Sequence, residues 1–262
     1  MPVVGTALRI IFAAAFGLAI GSFLTVVAYR VPRHESLVAP RSRCPGCGTT
    51  IRARDNVPVI SYLLLRGKCR SCGARISVRY VVIELLTAAL FAAVAAKFPS
   101  VYATIVLALF FAVLVAVSAI DVEYRLIPNL IVYPSLLAFP VILVVGALAG
   151  QHVSLLRAGI GFLAYGGGLL LVALVSPGGM GMGDVKLAGL IGLVLGAFGL
   201  AYVAVAAAVA ILAGGLGAVA LVAFAGATRK HAVPFGPYMA AGAVCAAFVA
   251  PRVAHWYTGF LH

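Results

Sequence analysis

Residues 177–225 read PGGMGMGDVKLAGLIGLVLGAFGLAYVAVAAAVAILAGGLGAVALVAFA. From Leu187 to Ala225 run 39 residues without a charge. At about 1.5 Å per residue, one helix of that length would be nearly twice as long as a bilayer core is thick. Two apolar helices with a tight turn near Gly199 to Tyr202 resolve the conflict. Just ahead of the run stands Asp184, one of only six acidic residues in 262, preceded by Gly178, Gly179, Gly181 and Gly183. Glycine has no Cβ to hold a neighbouring chain off, so an acid in such a stretch is a candidate for chemistry.

The rest of the chain agrees with a membrane setting. Mean hydropathy is +1.17, and 64% of residues are hydrophobic against 10% charged. A soluble globular domain carries about 25% charged residues. The net charge of +13 does not argue for a nucleic-acid partner, because 11 of the 19 Lys and Arg fall between Arg30 and Arg79, in a loop between two apolar segments. Cationic loops stay on the cytoplasmic side of a membrane, beside anionic lipid.

Apolar segments near 5–28, 81–98, 101–120, 130–150, 153–175, 187–200, 202–225 and 237–258 predict an all-α polytopic membrane protein of about eight transmembrane helices. Only Arg9 precedes the first apolar run, Ile10 to Ala28, while Arg30 and Arg33 follow it, so that run reads as a retained helix with its N-terminus outside, not a cleaved signal. The connections 29–80, 121–129, 176–186 and 226–236 then face the cytoplasm and hold 15 of the 19 cations, Arg125, Lys186, Arg229 and Lys230 among them. The predicted organisation is a first transmembrane helix over 1–29, a cytoplasmic four-cysteine loop domain over 30–80, and a seven-helix membrane domain over 81–262.

The first loop carries Cys44-Pro-Gly-Cys47-Gly and Cys69-Arg-Ser-Cys72-Gly. A two-residue gap lets both thiolates of a pair face one ion, and the following glycine permits a tight knuckle. Four thiolates make a closed tetrahedral site, a zinc ribbon that folds a loop too small for a core of its own. A disulfide role is disfavoured in a cytosolic loop. His34 reads as a solvated loop residue and Cys245 as packing.

The second acid of interest, Asp121, closes an apolar run 63 residues before Asp184. Between the two the chain crosses the membrane twice, so both carboxylates return to one face. The same parity brings Pro234-Phe235-Gly236-Pro237 to that side. Glu84, about one turn inside the second helix, reads first as the partner of a nearby cation and second as a substrate contact. Gly189, Gly192, Gly196 and Gly199 recur on one helical face, which allows close packing. No Walker loop, Gly-x-Ser-x-Gly or His-Glu-x-x-His is present, and the glycines at 166–168 follow no strand.

Two aspartates close enough to interact cannot both ionise cheaply, so one proton is shared between them. The ionised partner takes a proton from water and the protonated one polarises a peptide carbonyl, which is aspartyl proteolysis. The alternative is a proton-coupled transporter with Asp121, Asp184 and Glu84 as relay acids. Relay acids belong near mid-membrane, and these fall at helix ends.

Gly21-Ser22-Phe23-Leu24-Thr25, both Cys pairs, Asp55-Asn56-Val57-Pro58, Arg66-Gly67-Lys68-Cys69 and Glu84-Leu85-Leu86 closely resemble the N-terminal part of type IV prepilin peptidases. Asp121 with Ile127-Pro128-Asn129, Gly181-Met182-Gly183-Asp184-Val185-Lys186 and Pro234-Phe235-Gly236-Pro237 resemble their catalytic half, an intramembrane aspartyl protease with a Gly-x-Gly-Asp element. The resemblance implies a bifunctional enzyme of the bacterial cytoplasmic membrane. It would cleave the leader of type IV prepilins or pilin-like secretion proteins on the cytosolic side, then methylate the new N-terminus from S-adenosylmethionine. It places Asp121 and Asp184 as the catalytic pair; beside them Gly181, Gly183 and Lys186 read as a substrate loop, and the spacing of Cys44, Cys47, Cys69 and Cys72 reads as the zinc site. No cofactor loop for the methyl donor is legible.

Overall fold

A computed structural model of the protein describes residues 2–176, 180–225 and 234–259. Pro177, Gly178 and Gly179 of the glycine-rich stretch, and the cations Arg229 and Lys230, lie outside the described residues. The long helices are α1 (Pro2–Arg30), α3 (Val78–Lys97), α4 (Val101–Tyr124), α5 (Asn129–Leu148), α8 (Met182–Phe198), α9 (Leu200–Ala225) and α10 (Gly236–Gly259). A further rod consists of α6 (Leu155–Gly161) and α7 (Gly168–Val175), joined through a π-helical turn at Phe162–Gly167. A short α2 (Ile60–Leu64) lies in the first loop. Six helices among the described residues are long and apolar enough to cross a membrane: Gly5–Arg33, Val78–Lys97, Val101–Tyr124, Asn129–Leu148, Leu155–Val175 and Leu200–Gly217. The protein is a nearly all-helical, multi-pass membrane protein.

The two remaining segments expected to span, near 187–200 and 237–258, are helical as α8 and α10. At 17 residues α8 is shorter than the roughly 20 that a hydrocarbon core requires. Its neighbours explain its composition. It packs against α5, α6, the π turn, α7, α9 and α10, and Leu187, Leu190, Ile191, Val194 and Leu195 are completely buried. A helix wrapped in protein can be apolar on every side without lying against lipid.

The chain divides into two compact units, Met1–Ala116 and Val117–His262. In the first, α1 and α3 approach closely. A Cβ on Gly17 would come 2.7 Å from Ala88 Cα, and one on Gly21 2.7 Å from Glu84 Cα. In the second, α6 and the π turn cross α8 at glycines from both sides. A Cβ on Gly192 would collide with the Gly161 carbonyl, and one on Gly196 would lie 2.6 Å from the Arg157 carbonyl oxygen. Gly189 faces the Phe162 ring. Three members of the expected glycine face thus form the crossing. Gly199 does not: it is the single residue between α8 and α9, because the tight turn expected at Gly199 to Tyr202 is completed before Leu200 starts the next helix.

Helix α4 runs one turn beyond the expected end at Ile120, so Asp121 and Glu123 lie in its last turn and not in the following connection. Charged side chains at a helix end do not stop it. Arg125 does, by turning to a left-handed φ of 52° while its N–H bonds the Asp121 carbonyl at 2.8 Å. Pro128 then stands at the N-cap of α5, its carbonyl accepting the Ile131 and Val132 amides at 3.1 Å.

Candidate active site and metal centre

Asp121 sits on the final turn of α4 with 4% of its surface exposed. Its Oδ2 accepts the backbone N–H of Gly236, the first residue of α10, at 2.9 Å. Helix N-termini leave N–H groups unpaired, and a buried carboxylate is a natural acceptor for one. The fit needs glycine. A Cβ at position 236 would stand 2.8 Å from Asp121 Oδ2.

Asp184 lies in the first turn of α8, where its Oδ2 accepts the Gly181 N–H at 3.2 Å. This is one half of a capping box: the third helical residue reaches back to the N-cap amide, while Gly181 has no side chain to return the bond. The Asp184 and Val185 amides bond the Gly181 carbonyl at 3.0 and 3.4 Å. The carboxylate is therefore fixed by its own backbone, and it lies close enough to Asp121 for the two charges to act on each other. Two rods, α5 and α6–α7, lie between them in the chain, and the two acids come within electrostatic reach of each other.

The substrate-loop residues divide by role. Gly181 is the N-cap of α8. Gly183 is packed, since a Cβ there would come 2.8 Å from Ile127 Cβ. Lys186 is engaged with α5, donating to Asn129 Oδ1 at 3.0 Å with its ammonium 4.7 Å from the centre of the Tyr133 ring. Sequence reading missed Asn129 as a partner of Lys186 and missed the amide of Gly236 as a partner of Asp121. The sequence brings the proline-flanked Gly236 to the side of the two acids, but its amide gives no sign there.

In the first unit, the Sγ atoms of Cys44, Cys47, Cys69 and Cys72 all lie within 4.8 Å of one another. The two knuckles repeat the same bonds. Gly48 N–H to Cys44 O is 2.8 Å and Cys44 N–H to Thr49 O is 2.9 Å; Gly73 N–H to Cys69 O is 2.9 Å and Cys69 N–H to Ala74 O is 2.8 Å. Gly48 and Gly73 have φ of 70° and 71°, the left-handed conformation for which glycine is suited. Each knuckle is closed by an antiparallel bridge, Arg43 with Thr50 and Lys68 with Arg75. The Thr49 hydroxyl and amide beside Cys47 bring its thiol down from 9.0 to about 6, and the amides of Cys72 and Ser71 lower that of Cys69. Four sulfurs converging with amides turned toward them fit a metal such as zinc, for which S–S edges are about 3.8 Å when Zn–S is near 2.3 Å; Cys44 and Cys72 are 3.8 Å apart. His34 is exposed and outside the cluster.

Glu84 departs from the leading expectation of a cation partner. Its Oε2 accepts the Val59 N–H at 2.8 Å, and Val59 itself is held at φ 60°, uncommon for a β-branched residue. The helix α3 thereby anchors the loop that carries the cysteines. An ion pair within the loop joins Arg70 to Asp55, with Nε donating to Oδ2 at 3.0 Å and Nη2 to Oδ1 at 2.7 Å.

Comparison with known proteins accords with this arrangement. Residues 15–98 match the bacterial peptidase A24 N-terminal domain, and residues 108–219 match the type IV leader peptidase family. The chain is 36% identical over 242 residues to the prepilin leader peptidase/N-methyltransferase of Bacillus subtilis (strain 168), covering 92% of this chain and 95% of that one. It is 35% identical to the protein of the same name from Dichelobacter nodosus, with 90% of each covered, and 35% identical to that of Burkholderia pseudomallei (strain 1026b), covering 93% and 86%. No solved structure matches. With both units matched in order and relatives aligned nearly end to end, the chain belongs to the type IV leader peptidase family.

Proposed function

We propose that the protein cleaves the leader peptide of type IV prepilins or pilin-like secretion proteins with Asp121 and Asp184, and N-methylates the terminus so exposed. The observation that carries the cleavage reading is the pair itself: two carboxylates on different helices, each tied by one oxygen to a backbone amide and each within electrostatic reach of the other. Tying Oδ2 of both leaves the other oxygen of each for water and substrate. One shared proton then divides the labour. The ionised carboxylate takes a proton from water as the water oxygen attacks the scissile carbonyl carbon, and the protonated one hydrogen-bonds the carbonyl oxygen. Collapse of the tetrahedral intermediate passes a proton to the departing amine, and the pair returns to its starting state.

Parity of the spans and the cationic loops supports a site that faces the cytoplasm of a bacterial inner membrane, with eight spans when α8 and α10 cross with the other six. Residues 1–29, 30–80 and 81–262 then serve as anchor helix, metal-bearing loop and protease domain. The metal reading is structural zinc on Cys44, Cys47, Cys69 and Cys72, which organises the loop. S-adenosylmethionine supplies the methyl group when bound; the family name carries that part, and the Cys-bearing loop is the segment associated with it. The transporter alternative has no support from either matched domain.

The test is direct. Asp121→Asn and Asp184→Asn should each insert and leave a leader-bearing prepilin uncut, and normal processing by either variant would remove that residue from the site. Incubating the wild-type protein with prepilin and a labelled methyl donor, read by mass spectrometry, should show a shortened and methylated product.

A further inference from the structure

The π turn at Phe162–Gly167 contains a side chain that the cleavage scheme does not use. Tyr165 is 5% exposed, and its hydroxyl is buried with no hydrogen-bond partner among the described residues. An orphaned hydroxyl in a folded interior costs stability and calls for an explanation, an absent partner being one. The surroundings indicate where that partner belongs. Helix α6 and the π turn run antiparallel to α8, with Gly161 against Gly192 and Gly196, and Gly166 against Gly189 and the Val185 carbonyl. Tyr165 therefore stands at the level of the first turns of α8, beside the end that carries Asp184. The Asp184 charge acts on the Tyr165 ring hydroxyl, yet no bond joins them.

The backbone device that places it is also unusual. A π turn inserts one extra residue into a helical rod and rotates the remainder of the rod about its axis, and such turns concentrate at functional sites. Here it packs against the helix that carries Asp184, and glycines on both sides bring the two backbones together, with Tyr165 buried beside that crossing.

We propose that the Tyr165 hydroxyl donates a hydrogen bond to a backbone carbonyl of the extended peptide bound at the Asp121–Asp184 site, making it a third catalytic residue. This rests on the aspartyl reading above. The hydroxyl forms and breaks no covalent bond; it provides a fixed donor for a carbonyl oxygen whose negative charge grows as water adds. A bound peptide supplies an acceptor that none of the described residues provides.

Tyr165→Phe removes only the oxygen. In purified, detergent-solubilised full-length protein given a leader-bearing prepilin, the variant should melt at or above the wild-type temperature while kcat/KM falls on the order of 10²-fold, the scale for one lost donor to a developing oxyanion. Its pH profile should keep the wild-type shape. Wild-type kcat/KM in the variant overturns the proposal. A lowered melting temperature overturns it too, because the hydroxyl then has a structural partner, and a displaced pH profile would show that it acts through Asp184 and not on substrate. Asp121→Asn and Asp184→Asn run in parallel separate the two failures: cleavage by an aspartate variant refutes the aspartyl reading, whereas inactive aspartate variants beside a fully active Tyr165→Phe refute only the tyrosine.

Discussion

Asp121 on the last turn of α4 and Gly236 at the first position of α10 are 115 residues apart in sequence and joined by a 2.9 Å hydrogen bond from amide to carboxylate. The bond fixes one oxygen of the acid and leaves the other to react. Because a Cβ at 236 would lie 2.8 Å from that bound oxygen, Gly236→Ala should push the carboxylate aside while leaving the fold intact. Misplacement of a reacting group by about 1 Å can cost roughly 10²-fold in rate. Prepilin cleavage by Gly236→Ala should drop on that scale with metal content unchanged, and an unimpaired variant would show that the bond does not orient Asp121.

Much of this arrangement is legible in the sequence because it follows from topology. Span parity leads the sequence reading to expect Asp121 and Asp184 on one face, and the two Cys-x-x-Cys-Gly knuckles announce their own backbone geometry. The hidden features depend on register. Nothing in the sequence tells that Asp121 lies inside α4, since the helix ends where Arg125 adopts a left-handed φ. Nothing tells that the Glu84 carboxylate meets an amide and not a cation. Tyr165 is hidden by its setting, a tyrosine amid apolar residues; its one sequence signal is the glycine triplet 166–168 immediately after it.

Glu84 offers a test of the loop anchor. Glu84→Gln keeps an acceptor for the Val59 N–H, whereas Glu84→Ala leaves that donor unpaired in a partly buried position, at a cost of about 1–3 kcal/mol. Limited proteolysis within 30–80 should be faster in the alanine variant and near normal in the glutamine variant. Equal protection in all three proteins would mean that the Val59 contact does not hold the loop.

The α6–α8 crossing should tolerate almost no added volume. A Cβ on Gly192 meets the Gly161 carbonyl, a backbone atom that cannot swing away. Gly192→Ala should destabilise by about 1–3 kcal/mol, the usual range for overpacking, seen as a lower melting temperature in detergent. Gly167 and Gly168, with open space around them, should accept alanine with far less change, so the pair of measurements separates crossing from composition.

The thiol cluster makes a prediction about pH. In the folded loop the Thr49 hydroxyl and amide bring Cys47 to about 6, against 9.0 ordinarily. The folded state therefore releases this proton more readily than the unfolded chain does. Stability from this group is complete above about pH 9, declines below it, and is gone once the pH falls through about 6. Metal binding follows the same direction, because thiolates and not thiols are the ligands. Purified protein should hold one ion per chain at neutral pH and release it to a colorimetric chelator increasingly as pH falls through 6. Cys47→Ser should lose the ion at every pH and expose 30–80 to protease. An ion retained undiminished at pH 4, or by the Cys47→Ser variant, would mean that it is held elsewhere than by the four sulfurs.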